Sequence, residues 1–181
     1  MPILIHNSLT KKKEEFIPIN PDGKTVKMYT CGVTVYDRCH IGHARSLFVF
    51  DVIRRYLKFR GYNLRFVRNI TDVDDKIINK ANELKKTSEQ VAQENIVRYY
   101  EDLKSLSVDP ADSEPRATEN IDDMVKHIEG LIAQGFAYEV EGDVYFNVRK
   151  FEGYGKLSGQ TIDKMMEAVR IEKDSKKKDP L

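Results

Sequence analysis

The chain has 181 residues, 40% of them hydrophobic and 33% charged, which excludes disordered, collagen-like and coiled-coil classes and fits a globular domain. No apolar run approaches the roughly 18 residues of a membrane span, and Met1 to Asn7 lacks a basic segment leading into an apolar one, so neither a membrane segment nor a secretion signal is expected. Two cysteines, Cys31 and Cys39, cannot build a disulfide scaffold, and a cytoplasmic setting is expected. The net charge of +1 is unevenly spread: residues 1–80 hold 15 Lys and Arg against 8 Asp and Glu, the remainder 15 against 21. A basic half suits a phosphate-bearing ligand, although the excess is modest.

In chain order, Asn20-Pro21-Asp22-Gly23 signals a turn and Lys27 to Gly32 a short strand. From Ala44 to Arg60, Leu47, Phe48, Phe50, Val52, Ile53, Tyr56, Leu57 and Phe59 predict a helix buried on most of its circumference and ended by Gly61. Asn63 to Arg68 is the second strand. Strand, helix and strand in this order predict a βαβ unit with parallel strands, whose ligand sits at the carboxyl ends of the strands. Those ends are Cys31-Gly32 and Asn69 to Asp72.

Helical sequence follows from Asp75 to Lys86. Thr87 with Gln90 three residues on reads as a capping box for a helix reaching about Leu106. Asp109 to Pro115, with two prolines, predicts a loop. Ile121, Met124, Val125, Ile128, Leu131 and Ile132 predict an amphipathic helix stopped by Gly135. Phe136 to Val140 and Asp143 to Val148, joined by Glu141-Gly142, predict a β-hairpin. The remainder, including Lys176-Lys177-Lys178, lacks the apolar density of a self-sufficient fold.

His40-Ile41-Gly42-His43 lies between the first strand and its helix. The free N–H groups and the dipole of a helix start favour an anion, and two imidazoles three residues apart can donate to phosphate oxygens. Gly42 leaves room for a nucleotide to approach the backbone. Read from the residues alone, Cys31 is a small strand-end residue, and Thr71 serves equally as a ligand contact or as a partner for a backbone group. Asp72, Asp74 and Asp75, beside Lys76, read as carboxylates that complement a helix dipole rather than as a metal cluster.

Met28 to Asp37, His40 to Arg45 and Val67 to Ile77 together resemble the cysteinyl-tRNA synthetase family of class I aminoacyl-tRNA synthetases. Glu114 to Thr118 and Tyr154 to Ser158 extend the resemblance over nearly the whole chain. It implies an α/β fold: a Rossmann-type parallel sheet, the first half of a class I catalytic domain, over residues 1–115, and the start of a connective-peptide insertion over 116–181. It implies activation of L-cysteine with ATP to cysteinyl-adenylate and transfer to tRNA(Cys) by a cytoplasmic monomer. His40 and His43 are then catalytic and, with Gly42, ATP-binding, while Cys31, Gly32 and Thr71 bind the substrate. Cys31 becomes one ligand of a zinc ion that takes the substrate sulfur, and Mg2+ accompanies ATP. Cys39 is left structural.

The family continues past this point with a cysteine, a histidine and a glutamate as further zinc ligands, the second half of the sheet, a lysine loop of the Lys-Met-Ser-Lys-Ser type and an anticodon-binding domain. None occurs in this sequence, so an N-terminal fragment, inactive by itself, is expected. Glu167-Ala168-Val169-Arg170 also departs from the family's usual Gly-Ala-Arg-Val. Two other readings are a ligase joining cysteine to an amino sugar in thiol biosynthesis, and a non-catalytic truncated paralogue that binds a nucleotide.

Overall fold

The structure, a computed structural model, describes residues 1–167 and Lys177. Residues 168–170 of the stretch from Glu167 to Arg170, and Lys176 and Lys178 of the lysine run, lie outside the described residues. The strands are β1 (Leu4–Asn7), β2 (Lys12–Glu15), β3 (Thr25–Thr30), β4 (Asn63–Arg68), β5 (Ala137–Val140) and β6 (Asp143–Phe146). The helices are α1 (Ile41–Phe59), α2 (Asp75–Leu84), α3 (Ser88–Ser105), α4 (Ile121–Ala133) and α5 (Ile162–Glu167). They form two compact units: Ile17–Ile121, and Met1–Phe16 together with the described residues from Asp122 onward.

In the first unit β3 and β4 pair in parallel from Thr25↔Asn63 to Thr30↔Arg68, with α1 as the crossover, which is the βαβ arrangement expected. The segment expected to be a two-proline loop extends this sheet. Val67↔Ser113 and Ile70↔Arg116 bridge in parallel, the Arg68 N–H donates to the Ser113 carbonyl at 3.1 Å, and the Ile70 N–H donates to the Pro115 carbonyl at 2.9 Å. Proline lacks a donor but keeps its acceptor, so the expected loop bonds along the sheet through isolated bridges without becoming a strand.

The core of this unit lies where Val33, Val35, Leu47, Ile70 and Ile77 meet the α3 residues Val91, Ile96, Tyr99 and Leu103. The α3 N-terminus carries the capping box as expected: the Gln90 N–H donates to Thr87 Oγ1 at 3.1 Å and the Thr87 N–H to Gln90 Oε1 at 3.0 Å. Helix α1 corrects its expectation. It starts at Ile41, three residues early, because His40 caps it, and it is not buried around its circumference. Only Leu47, Asp51, Arg54 and Leu57 are buried, while Phe48, Val49, Val52, Tyr56 and Phe59 are exposed.

Arg54 donates to the Pro110 carbonyl at 2.7 Å and to Asp112 Oδ1 at 3.3 Å. It lies over one side of the Phe66 ring, 5.6 Å from the centroid, while Arg68 approaches the same ring at 4.9 Å. Arg68 is fully buried; its Nη1 donates to the Tyr99 hydroxyl at 3.1 Å and its Nε to Thr30 Oγ1 at 3.4 Å. The Tyr99 hydroxyl in turn donates to Glu114 Oε1 at 3.3 Å, and Tyr100 donates to Oε2 of the same carboxylate at 2.7 Å. Burial raises the Tyr99 hydroxyl pKa to about 12.

In the second unit β1 and β2 form an antiparallel hairpin, as do β5 and β6. The β5–β6 turn is Glu141-Gly142, both at positive φ (51° and 85°), the backbone a two-residue hairpin of type I′ requires. Gly135 ends α4 at φ 75° as expected. The apolar stripe of α4 is present, but none of its residues is buried.

Candidate functional site

The β3–β4 ladder is interrupted where the ligand of a parallel sheet is expected. Pairing stops at Thr30↔Arg68 and resumes at Thr34↔Thr71, so the first strand advances four residues while the second advances three. One extra residue is accommodated, as in a β-bulge, and Cys31 and Gly32 fall in the break. Cys31 is exposed. The Gly32 N–H has left the ladder and donates to Oδ1 of Asn69 at 2.8 Å. A Cβ on Gly32 would stand 1.5 Å from the Asn69 carbonyl oxygen, so only glycine fits without moving backbone.

Asn69 is the hub that sequence reasoning missed. Its Oδ1 also accepts from the Tyr29 hydroxyl at 2.9 Å, and its Nδ2 donates to Thr71 Oγ1 at 3.2 Å. Thr71 is half-buried and pinned by its backbone: its N–H donates to the Val33 carbonyl at 3.1 Å, and its carbonyl accepts from the Val35 N–H at 3.2 Å. Gly32 and Thr71 are thereby joined through one side-chain amide. The signal available in the sequence was a carboxamide at a strand end, two residues before Thr71, where pairing resumes.

At the start of α1, His40 and His43 form a reciprocal cap. His40 Nδ1 accepts from the Gly42 N–H at 3.0 Å, and His43 Nδ1 accepts from the His40 N–H at 3.4 Å. Because both Nδ1 atoms accept, each neutral ring carries its proton on Nε2, leaving two N–H donors at a helix N-terminus. The room left by the missing Cβ of Gly42 holds the His40 ring itself: a Cβ there would stand 2.8 Å from His40 Cε1. Desolvation lowers the His43 pKa below the ordinary value of 6.5, helped by the charges of His40 and Lys76. Lys76, at the start of α2, lies 5.5 Å from the centre of the Tyr36 ring.

Cys39 is a different kind of cysteine. It is half-buried against the core, and burial, reinforced by the Asp102 carboxylate, raises its thiol pKa to about 11. The acidic residues after Thr71 are committed to helix starts. Asp74 caps α2 by accepting from the Lys76 N–H at 2.9 Å, and Asp75 lies in its first turn. Asp72 does not serve α2; it accepts from the Thr118 N–H at 3.0 Å and from the Thr118 hydroxyl at 2.6 Å, anchoring the 3-10 turn (Thr118–Asn120) that leads into α4. Among the described residues no three His, Cys, Asp or Glu side chains cluster as a metal site. Cys31 thus offers one thiolate position, not the four donors of a complete tetrahedral zinc site. Among the described residues no helix is long and apolar enough to cross a membrane.

The chain is 55% identical over its whole length to the cysteine–tRNA ligase of Persephonella marina and 52% identical to that of Aquifex aeolicus. It spans 37% and 36% of the length of these curated relatives, respectively. In fold it resembles the methionyl-tRNA synthetase of Mycobacterium tuberculosis solved with methionyl-adenylate, with a TM-score of 0.59 and 20% identity over 64% of this chain and 23% of that one. The family of tRNA synthetases class I (C) catalytic domains matches residues 18–181, which contain the interrupted ladder and the histidine cap, and the chain belongs to that family.

Proposed function

We propose that this chain supplies the cysteine- and ATP-binding part of a cysteine–tRNA ligase: activation of L-cysteine with ATP to cysteinyl-adenylate, followed by transfer to tRNA(Cys), in a cytoplasmic monomer. In that reading residues 1–115 are the first half of the catalytic domain, and residues 116–181 open the connective-peptide insertion. The observation that carries the reading is the break in the β3–β4 ladder, with an exposed Cys31 and a glycine that admits no side chain at one strand end and Thr71 at the other. The histidine cap begins the helix that follows.

The amino-acid carboxylate attacks the α-phosphorus of Mg2+-bound ATP and pyrophosphate leaves. The protein's task in such a step is to position the reactants and to meet the charge that develops on the phosphates. His40 and His43 do this through their Nε2 donors, with Gly42 keeping the helix start open enough for the His40 ring to cap it. Gly32 and Thr71 hold the amino acid. Cys31 would be one ligand of a zinc ion, the remaining donors coming from outside the described residues; when bound, zinc prefers a thiolate to the hydroxyl of serine. The test is cysteine-dependent ATP–pyrophosphate exchange and charging of tRNA(Cys) by the full-length enzyme carrying this chain. Exchange with cysteine and none with serine is expected; no exchange with any amino acid would overturn the reading.

A further inference from the structure

We infer that Asn69 is the positioning residue of this site: it fixes the Thr71 hydroxyl as a hydrogen-bond donor toward the bound amino acid, with Tyr29 as its outer clamp. The inference rests on the proposed cysteine activation and goes beyond it by assigning a donor direction and a residue that acts through another.

Donors and acceptors around the Asn69 carboxamide fix its orientation. The Gly32 N–H can only donate, so the Asn69 atom 2.8 Å away is the carbonyl oxygen Oδ1, which sets the orientation of the whole carboxamide. The second lone pair of Oδ1 takes the proton of the Tyr29 hydroxyl at 2.9 Å. The remaining atom, Nδ2, bears only hydrogens and faces Thr71 Oγ1 at 3.2 Å, so the threonine oxygen accepts in that contact. The proton of Thr71 is therefore directed away from Asn69. The Thr71 backbone is bonded on both sides to Val33 and Val35, which leaves the side chain the part free to serve a ligand.

The arrangement has a chemical consequence. With one lone pair of Thr71 Oγ1 committed to Asn69, the hydroxyl proton is left for an acceptor on the ligand, such as a carboxylate or acyl oxygen. The Gly32–Asn69 contact gives the same device its second anchor. The amide spans the place where the ladder is broken, and a Cβ at residue 32 would collide with the Asn69 carbonyl, so the two strand ends are locked at one separation. Tyr29, itself 62% exposed, is held by its hydroxyl to the outer side of the amide. It limits rotation of the carboxamide through this one bond to Oδ1.

The test is a double-mutant cycle in the full-length enzyme, read as KM for cysteine and kcat in ATP–pyrophosphate exchange. Asn69→Ala and Thr71→Val should each raise KM for cysteine about tenfold, the cost of roughly one hydrogen bond, with KM for ATP changed less than about twofold. The double variant should be no more than about threefold worse than the weaker-binding single variant, because a residue that acts through Thr71 has little left to lose once the hydroxyl is gone. Independent, multiplicative effects would overturn the inference, as would an Asn69→Ala enzyme with lowered Tm and unchanged KM. Should Asn69→Ala fail to fold, Tyr29→Phe carries the same cycle: a roughly two- to threefold rise in KM that disappears in the Thr71→Val background supports the inference, and persistence there overturns it. Exchange by the unsubstituted enzyme is the separate measurement on which the proposed function itself stands or falls.

Discussion

The rings of His40 and His43 stack with centroids 4.0 Å apart and an interplanar angle of 25°, so the two imidazoles act as one unit at the start of α1. Each gives its Nδ1 to a backbone N–H of the same turn, and the cap that stabilises the helix is also what sets both Nε2 atoms as donors. Helix stability and the proposed phosphate recognition therefore share atoms at this position.

His43→Ala in the full-length enzyme should lower kcat of adenylation by about 10²–10³ while KM for cysteine changes little, because the donor matters most as charge shifts onto the departing pyrophosphate. Loss in KM for cysteine with kcat intact would mean that His43 faces the amino acid instead. The pH dependence has a definite sign. Burial, as the largest cause, lowers the His43 pKa in the folded chain below its unfolded value of 6.5. The unfolded chain then binds the proton first, so the stabilisation is complete above about pH 6.5 and is lost as the pH falls toward the folded pKa. Thermal melts of the chain should show Tm decreasing below about pH 6.5, with a shallower decrease for His43→Gln.

The two glycines of the site should respond in opposite ways to alanine. At Gly32 the added Cβ meets backbone, 1.5 Å from the Asn69 oxygen, and backbone cannot step aside cheaply. Gly32→Ala should cost about 1–3 kcal/mol of stability and abolish cysteine-dependent exchange. At Gly42 the Cβ meets the His40 ring at 2.8 Å, a side chain that can rotate away. The lost cap costs about 1 kcal/mol, and the gain of about 1 kcal/mol from alanine over glycine in a helix offsets it. Gly42→Ala should melt within a few degrees of the parent yet adenylate slowly; a destabilised but fully active variant would refute this account.

Much of this was written in the sequence because it depends on local chemistry. The Thr87–Gln90 box, the Glu141-Gly142 turn and the Gly135 stop are each decided within a few residues, and each is where it was expected. What escaped depends on partners remote in sequence. β1 and β2 have mostly exposed side chains and a turn through Lys11 at φ 59°, so they show neither alternation nor a glycine. Asp109 to Pro115 looked like a loop because proline removes donors, yet its carbonyls are what β4 and Ile70 use. The apolar residues of α1 overstated its burial, since hydrophobicity reports what can be buried, and two of the four positions buried are Asp51 and Arg54. The βαβ pattern already put Cys31, Gly32 and Thr71 at the strand ends and the resemblance supplied their roles, whereas Asn69 needed coordinates because its role is a set of contacts.

The buried Arg68 makes a stability prediction with two arms. Among the described residues its Nη2 has no hydrogen-bond partner, and it is linked to Glu114 through the Tyr99 hydroxyl. Tyr99→Phe removes that link and leaves the guanidinium with less compensation, for an expected loss of about 1–3 kcal/mol. Arg68→Met removes the charge and fills similar space, so it should cost less than Arg68→Ala, for which about 3–5 kcal/mol is expected. Denaturant melts of the three variants give the order. Arg68→Met as damaging as Arg68→Ala would show that the guanidinium's own contacts outweigh the burden of burying it.

The two cysteines should separate cleanly by reactivity and by metal. Cys39, with a thiol pKa pushed up to about 11, is only about a thousandth thiolate at pH 8, and its half-buried position slows access further. Cys31 is exposed at the strand end. Iodoacetamide at pH 8 should therefore modify Cys31 first and leave Cys39 largely untouched, as peptide mapping would report. In the proposed enzyme zinc needs the Cys31 thiolate, so bound metal should protect it from the reagent, and Cys31→Ser should release zinc and weaken discrimination against serine. The 181-residue chain by itself should not hold zinc through dialysis against a mild chelator, because metal affinity comes from several deprotonated donors in one geometry, and the described residues gather no group of three. Metal analysis after dialysis decides the point. Stoichiometric zinc that survives in the chain, with Cys31 still alkylated, would move the metal away from this strand end and remove the physical basis proposed for telling cysteine from serine.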